Sequence, residues 1–483
     1  MERSANGEVE VQVAALVTRA RAAQRVYETW SQEQVDSAVA AAGWAIVEPT
    51  RNRELAELAV AATGIGNVDD KIRKNHRKTL GLLRDLRGAK SVGVISEDAA
   101  AGIVEIARPV GVVCAITPST NPGATPANKI INALKARNAV VVAPSPKGWS
   151  TCARLVEFID EQLAKVGAPA GLVQLLPSPV TKQSTAELMR RCDLVVATGS
   201  QANVRAAYAS GTPAFGVGAG NVAGIVDETA DVEAAAERIV RSKTFDNATS
   251  CSSENSLVVV ASARAALLAA LQARGAVLVD AALKSALARL MWPEGKLSPA
   301  VIGQSATVIA RRAAEAAVDD AGRAAWNAVA AKQPRILMVD ESGVGNDHPF
   351  SGEKLSPVLA LYTVADFAAA AAQVATIYAF EGAGHSVGLH TAREERAIEL
   401  GLHLPVARVI VNQAHCIATG GSFDNGLPFS LSMGCGTWGK NNFSDNMALR
   451  HFLNVTRVSR PIAERVPKEQ EIFGDFFRRF GKS

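Results

Sequence analysis

The chain has 483 residues, too many for one small core, and at about 150 residues per domain its length points to two or three domains. Hydrophobic residues make up 48% and charged residues 20%, which excludes a disordered chain and fits a packed globular one. The formal net charge is +4, and Lys and Arg are scattered rather than clustered, which excludes a basic stripe for nucleic acid.

Residues 9–89 space their apolar positions every three to four residues and predict helices. Within them Val11, Val13, Leu16 and Val17 read as the docking face of a first helix. The Val/Ile/Ala alternation over 92–109, broken by an acidic small-residue turn, predicts a β-hairpin. Short apolar runs follow at 110–116, 139–143, 172–176 and 193–197. Helical stretches lie between them, such as 150–166, where Leu155, Ile159 and Leu163 form one stripe and Gly167 is placed to end the helix. Strands that are apolar throughout and alternate with helices imply a doubly wound parallel sheet. Such sheets bind ligands at the carboxyl ends of their strands. The pattern restarts after 222 with a helix at 230–242 and a strand at 257–262, so a second α/β domain is expected. The expected division is 1–222 for cofactor binding, 223–425 for catalysis and 426–483 for a return segment and tail.

No apolar run approaches the ~20 residues of a membrane helix, and the N-terminus lacks the order of a signal peptide. Cys114, Cys152, Cys192, Cys251, Cys416 and Cys435 show no C-x-x-C spacing, and they read as reduced thiols of a cytoplasmic protein. The seven histidines lack metal-ligand spacing, and no metal is expected. GVGAGN at 216–221 is neither at the first strand of the fold nor spaced as a dinucleotide fingerprint. Its glycines are expected to permit close backbone approach.

Cys251 stands apart from the other cysteines. It lies in KTFDNATSCSSENSLVVV, where Thr249, Ser250, Ser252 and Ser253 surround it and leave room for a substrate at sulfur. That setting suits a nucleophile, although a bystander thiol fits it equally until its electrostatics are known. ITPSTNP at 116–122 follows a predicted parallel strand, and Asn121 there is either an amide donor for an oxyanion or the opening of a turn before Pro122.

Eight segments, in order along nearly the whole chain, resemble the CoA-acylating branch of the aldehyde dehydrogenase superfamily. They are SQEQVD (31–36), GNVDDKIRKNH (66–76), RPVGVVCAITPSTNP (108–122), ATGS (197–200), GVGAGNVAGIVDETAD (216–231), KTFDNATSC (243–251), EKLSP (353–357) and GCGTWGKN (434–441). The closest likeness is to the acylating half of bifunctional aldehyde–alcohol dehydrogenases and their stand-alone relatives. The resemblance implies Cys251 as nucleophile, with the side chain of Asn121 and the backbone N–H of Cys251 as oxyanion donors. It places His385 where these enzymes also carry histidine, and assigns Glu353 to the nicotinamide ribose. Thr198, Gly199 and Ser200 fall near the pyrophosphate, and Thr117, Pro118, Pro144, Lys147 and Gly218 complete the cofactor residues.

Two departures from the hydrolytic relatives matter. Those enzymes carry a water-activating glutamate in E-L-G-G-K, and the matching stretch here puts Val217 at that position. Losing a general base costs hydrolysis about 10²–10⁴, whereas a CoA thiol is itself nucleophilic, so CoA is the expected acyl acceptor. Their K-P-x-E run, which holds the adenosine ribose, becomes A-P-S-P-K at 143–147, leaving both NAD and NADP admissible. The expected reaction therefore oxidises a short aldehyde, of the acetaldehyde or sulfoacetaldehyde type, to an acyl-CoA through a thioacyl enzyme. The alternative is a hydrolytic NAD(P)-dependent aldehyde dehydrogenase that yields a carboxylate. The loop 412–428 is similar to the sulfoacetaldehyde-oxidising members of the branch, with Asn412, Gln413 and His415 as candidate sulfonate donors. The hairpin and tail resemble the oligomerisation strands of the superfamily, implying a homodimer or homotetramer.

Overall fold

The computed structural model describes residues 2–482, with side-chain surroundings from Gly7 onward. Four helices come first: α1 (Glu2–Tyr27), α2 (Gln32–Val47), α3 (Pro49–Thr63) and α4 (Val68–Leu86). Ser31 starts α2 with a capping box, in which its hydroxyl accepts from the Gln34 N–H and the Gln34 side chain accepts from the Ser31 N–H. Pro49 opens α3, where a missing N–H leaves nothing unpaired, and Gly64 closes it at φ 67°. Val13, Leu16 and Val17 are buried in the same core as the first sheet and form the docking face of α1, whereas Val11, expected with them, lies on the opposite side and is exposed.

The predicted hairpin is β1 (Gly93–Asp98) and β2 (Ile103–Pro109). β3 (Val112–Thr117), β4 (Ala139–Pro144), β5 (Val173–Leu175), β6 (Leu194–Thr198) and β7 (Ala214–Val217) form a parallel sheet in the order β5-β4-β3-β6-β7. Every residue of β3 and β4 is buried, as expected of a sheet covered by helices on both faces. The strand order reverses at β3: β4 and β5 extend one way, β6 and β7 the other. The crevice between the carboxyl ends of β3 and β6 is therefore the topological switch point, where open α/β sheets bind ligands. Thr117 and Thr198 end those two strands.

A second parallel sheet contains β8 (Val222–Val226), β9 (Glu254–Val260), β10 (Ala276–Leu278), β11 (Ile336–Asp340), β12 (Val358–Val364), β13 (Val387–His390) and β14 (Val409–Val411). Its order is β10-β11-β12-β9-β8-β13-β14. The chain crosses from the first sheet to the second through residues 218–221 alone before β8, so β8 begins at the last residue of the first expected unit. β15 (Leu453–Ser459) returns to β2 in antiparallel register and completes a three-stranded sheet, β1-β2-β15. Beyond it the helix Glu469–Phe480 presents Ile472, Phe473, Phe476 and Phe480 to solvent. No helix among the described residues is long and apolar enough to cross a membrane.

Candidate active site

Cys251 lies between the helix Val232–Thr244 and β9. The chain reaches it through Asp246, Asn247 and Ala248, all left-handed at φ 50°, 53° and 59°. Left-handed backbone costs a non-glycine residue about 1–2 kcal/mol, so three in succession need surroundings that hold them. The buried Asp246 provides part of that hold. Its carboxylate accepts from the Lys71 and Lys74 ammonium groups, from Thr249 Oγ1 at 2.9 Å and from the Asn67 N–H at 3.0 Å. Burial alone would raise its pKa, but the two lysines and these hydrogen bonds outweigh burial and hold the carboxyl below its ordinary value.

The half-buried Cys251 has its Sγ 3.4 Å from Nε2 of His385. His385 is 1% exposed, and its Nδ1 lies 2.7 Å from Ser386 Oγ. Burial, followed by the Arg408 and His415 charges, pushes the imidazole pKa well below its ordinary value, so the ring is neutral at physiological pH. Burial also pushes the Cys251 thiol up to about 12, with Glu353 and Cys435 adding to the effect. Without ligand the pair is therefore a neutral thiol facing a neutral imidazole.

Gly220 explains its own place in this arrangement. A Cβ there would lie 2.7 Å from both Cys251 O and His385 Cδ2, so only glycine fits. The GVGAGN segment joins β7 to β8 with no helix after it, and its glycines serve close approach as expected. The Gly220 N–H donates to Glu353 Oε1 at 3.3 Å. Burial, followed by the neighbouring Glu381, raises the Glu353 carboxyl to about 8. Glu353, Gly220, Cys251 and His385 thus meet at one place.

The remaining expected cofactor residues gather at the switch point and its rim. Thr117 is buried with its Oγ1 unpartnered, and Pro118 follows it into the loop. Pro144 ends β4 in register with Thr117. Thr198 Oγ1 lies 2.7 Å from Ser432 Oγ. Gly199 follows, and Ser200 caps the helix Gln201–Tyr208 by accepting from the Asn203 N–H. Gly218 sits against Gln201. Lys147 is exposed in the turn Pro146–Gly148 after β4. Val217 is 4% exposed at the end of β7 and offers no group to take a proton from water.

A cavity of about 900 Å³ has Asn121 and the two chain neighbours of Cys251, Ser250 and Ser252, in its wall. Seven Lys and Arg side chains line it against two carboxylates, Asp70 and Glu237. Four of the cations, Arg73, Lys74, Arg77 and Lys78, come from α4. Lys71, Lys74 and Lys78 share one face of this helix, the inward face that apolar residues ordinarily occupy. Lys78 Nζ donates to the carbonyls of Gly420 at 2.8 Å and Gly421 at 3.1 Å, and burial lowers its pKa to about 7. Arg77 donates to Ser422 Oγ at 2.6 Å, and Ser422 donates in turn to Asp424. The guanidinium also stacks 4.9 Å from the Phe423 ring, and its Nε is buried without a partner.

Sequence reasoning quoted the 66–76 segment but gave its cations no role. The signal it contained was the helical spacing of three lysines on a face that should be apolar. The three loop residues expected to hold a sulfonate are not in the cavity wall. Asn412 exchanges two hydrogen bonds with the Thr391 backbone, Gln413 accepts from Asn425, and the buried His415 donates to Ser252 O. These hydrogen bonds engage the three groups, while Cys416, Ile417, Gly420 and Phe423 of the same loop line the cavity, and its cations come from α4 and from Arg241, Arg274 and Arg335.

The sequence profile of the aldehyde dehydrogenase family matches residues 4–288. The chain is 65% identical over 470 residues to a sulfoacetaldehyde dehydrogenase (acylating) of Cupriavidus necator, covering 97% of this chain and 93% of that one. The fold matches the crystal structure of an acetylating aldehyde dehydrogenase from Geobacillus thermoglucosidasius with a TM-score of 0.89 at 34% identity, covering 96% and 99% of the two chains. It also matches a Rhodopseudomonas palustris propionaldehyde dehydrogenase with bound CoA and an acylated cysteine, with a TM-score of 0.79 at 25% identity over 93% and 97%. The chain belongs to the aldehyde dehydrogenase family, and within it to the CoA-acylating branch, oxidoreductases that act on aldehydes with NAD(P) and CoA.

Proposed function

We propose that the chain oxidises a short aldehyde bearing an anionic group, of the sulfoacetaldehyde type, to its CoA thioester with Cys251 as nucleophile. The excess of cations in the cavity beside Cys251 carries this reading. Asp246 pairs with Lys74 and Glu233 with Arg274, and the remaining cations still outnumber Asp70 and Glu237, so an anion entering there meets a positive potential. Arg77 is the first-choice partner for a sulfonate, since its planar fork is half-buried and its hydrogen bonds within the chain run to a neutral hydroxyl. The 65% identical relative named for sulfoacetaldehyde supports the same substrate.

In the reaction, the Cys251 Sγ–H donates to His385 Nε2, and the imidazole takes the proton as sulfur attacks the aldehyde carbon. The tautomer is set by Ser386, whose hydroxyl oxygen accepts from Nδ1–H and leaves Nε2 as the acceptor. The Asn121 amide and the Cys251 N–H stabilise the oxyanion. Residues 1–222 supply the cofactor crevice, where the buried, unpartnered Thr117 hydroxyl and the strand ends fit a dinucleotide. NAD(P)+ bound there supplies the hydride acceptor. Collapse of the oxyanion expels hydride and leaves an acyl group on Cys251. A CoA thiol then displaces the cysteine sulfur and gives acyl-CoA. Water competes poorly because Val217 occupies the position of the hydrolytic base.

Residues 223–425 supply the cysteine, and 426–483 close the fold. The edge strands β1 and β15 and the exposed aromatic face of the last helix support a homodimer or homotetramer. Six unpaired cysteines support a reducing, cytoplasmic setting.

The test is NAD(P)H formation from sulfoacetaldehyde and from acetaldehyde, with and without CoA. The reading requires CoA-dependent turnover, a clear preference for the sulfonate and no activity in Cys251→Ala. Equal kcat/KM for the two aldehydes rejects the anionic substrate, and steady turnover without CoA rejects thiolysis.

A further inference from the structure

The Lys74 ammonium has three N–H bonds, and all three are engaged. One reaches Asn121 Oδ1 at 2.7 Å, one the Asp246 carboxylate and one Thr249 Oγ1 at 3.3 Å. The lysine is 5% exposed, so water does not compete for these bonds. An ammonium group has no lone pair and only donates. The Asn121 amide can therefore face it with oxygen alone, because the flipped amide would set N–H against N–H. This settles the side-chain orientation chemically: Oδ1 lies on Lys74, and Nδ2 points away from it.

We infer that Lys74 is a positioning residue, which locks the Asn121 amide so that its Nδ2 is presented to the oxyanion formed at Cys251. The inference rests on Asn121 being the oxyanion donor, as argued above. The geometry gives the lysine two effects. It removes the flipped rotamer, in which a carbonyl oxygen would face the oxyanion and repel it. It also polarises the amide, since a cation on Oδ1 makes the N–H bonds stronger donors. Asp246 keeps the ammonium in place and is itself held by Lys71 and the Asn67 N–H. Thr249, bound to both Lys74 and Asp246, lies two residues before Cys251, so one ammonium group ties the amide donor to the cysteine turn.

A double-mutant cycle on the full-length enzyme tests the inference, with kcat and KM measured for acetaldehyde and sulfoacetaldehyde. Loss of one oxyanion donor typically lowers kcat by about 10²–10³, and Asn121→Ala is expected in that range. Lys74→Met is expected to lower kcat by at least about tenfold for both aldehydes while leaving KM within about threefold. The double variant should be no slower than Asn121→Ala within about threefold, because the lysine acts through the amide. Lys74→Gln, which keeps a shorter donor, repeats the measurement if the methionine variant does not fold. Losses that multiply in the double variant overturn the positioning role. A rise in KM confined to sulfoacetaldehyde also overturns it and makes Lys74 a substrate contact. Full activity in Asn121→Ala instead removes the oxyanion assignment on which the inference stands, a separate and recognisable failure.

Discussion

Cys251 Sγ and His385 Nε2 stand 3.4 Å apart, a thiol raised to about 12 facing an imidazole kept neutral far below its usual range. The Cys251 thiol is consequently protonated in the free protein at neutral pH, and on the proposed reading His385 activates it. Alkylation of the ligand-free protein by iodoacetamide should be slow at pH 7. Its rate should rise by about tenfold per pH unit without levelling off below pH 10, since thiolate is the reactive form. A plateau near pH 8 contradicts the raised thiol. His385→Gln should lower kcat at pH 7 by about 10²–10⁴, with the deficit narrowing as pH rises and hydroxide takes over the proton.

Arg77→Met should discriminate between substrates. It removes the half-buried fork, with its stack on Phe423, and keeps an apolar side chain of similar length. KM for sulfoacetaldehyde should rise by at least about tenfold, the factor that corresponds to about 1.4 kcal/mol. Kinetics with acetaldehyde should be unchanged. Equal effects on both aldehydes would assign the arginine to loop structure through Ser422.

Thr117→Val separates cofactor binding from folding. The buried Oγ1 has no partner within the described chain, so an apolar replacement of the same shape should leave the melting temperature unchanged or slightly higher. KM for the nicotinamide cofactor should rise, while iodoacetamide reactivity of the free enzyme stays the same. A fall in stability with unaltered cofactor KM would show that the hydroxyl serves the fold.

Burial lowers His390 and His415 to about 4 from the ordinary 6.5. In the unfolded chain both take up protons near pH 6.5, whereas in the folded chain they resist until about pH 4. Between those values the unfolded state binds more protons, so stability falls as pH falls through this window. At 1.36 kcal/mol per pKa unit each histidine contributes about 3 kcal/mol to the loss. Glu353, raised to about 8, contributes in the opposite sense over the same window, so the histidine share between pH 6.5 and 4.5 is a drop in melting temperature read by comparing variants. His390→Asn should flatten that drop.

The doubly wound architecture was legible because β3 and β4 are buried on both faces and therefore read as short, Val-rich apolar runs. The expected ends of β3, β4 and β6 fall within two residues of those observed. Cys251 and His385 were readable singly, but their separation of 134 residues along the chain left their contact to the fold. The cavity was the least legible part. Four of its seven cations lie on α4 and the others are Arg241, Arg274 and Arg335, and Lys74 meets Asp246 across 172 residues, so no local pattern links them. Cys416, Ile417, Gly420 and Phe423 of the loop 412–428 line the cavity, whereas Asn412 and Gln413 are engaged by backbone and neighbour hydrogen bonds. Composition shows which donors a segment owns; only tertiary structure shows which of them are already taken.

The four-residue crossing at 218–221 has a consequence for engineering. Its Gly220 donates to Glu353 while lying against Cys251 O and the His385 ring, so the crossing between the two sheets is also packed directly on the Cys251–His385 pair. A chimera that exchanges the cofactor half for one of different nucleotide preference needs its splice ahead of Gly218 or beyond Asn221. A join within the crossing would transmit every misfit between the halves directly to sulfur and imidazole.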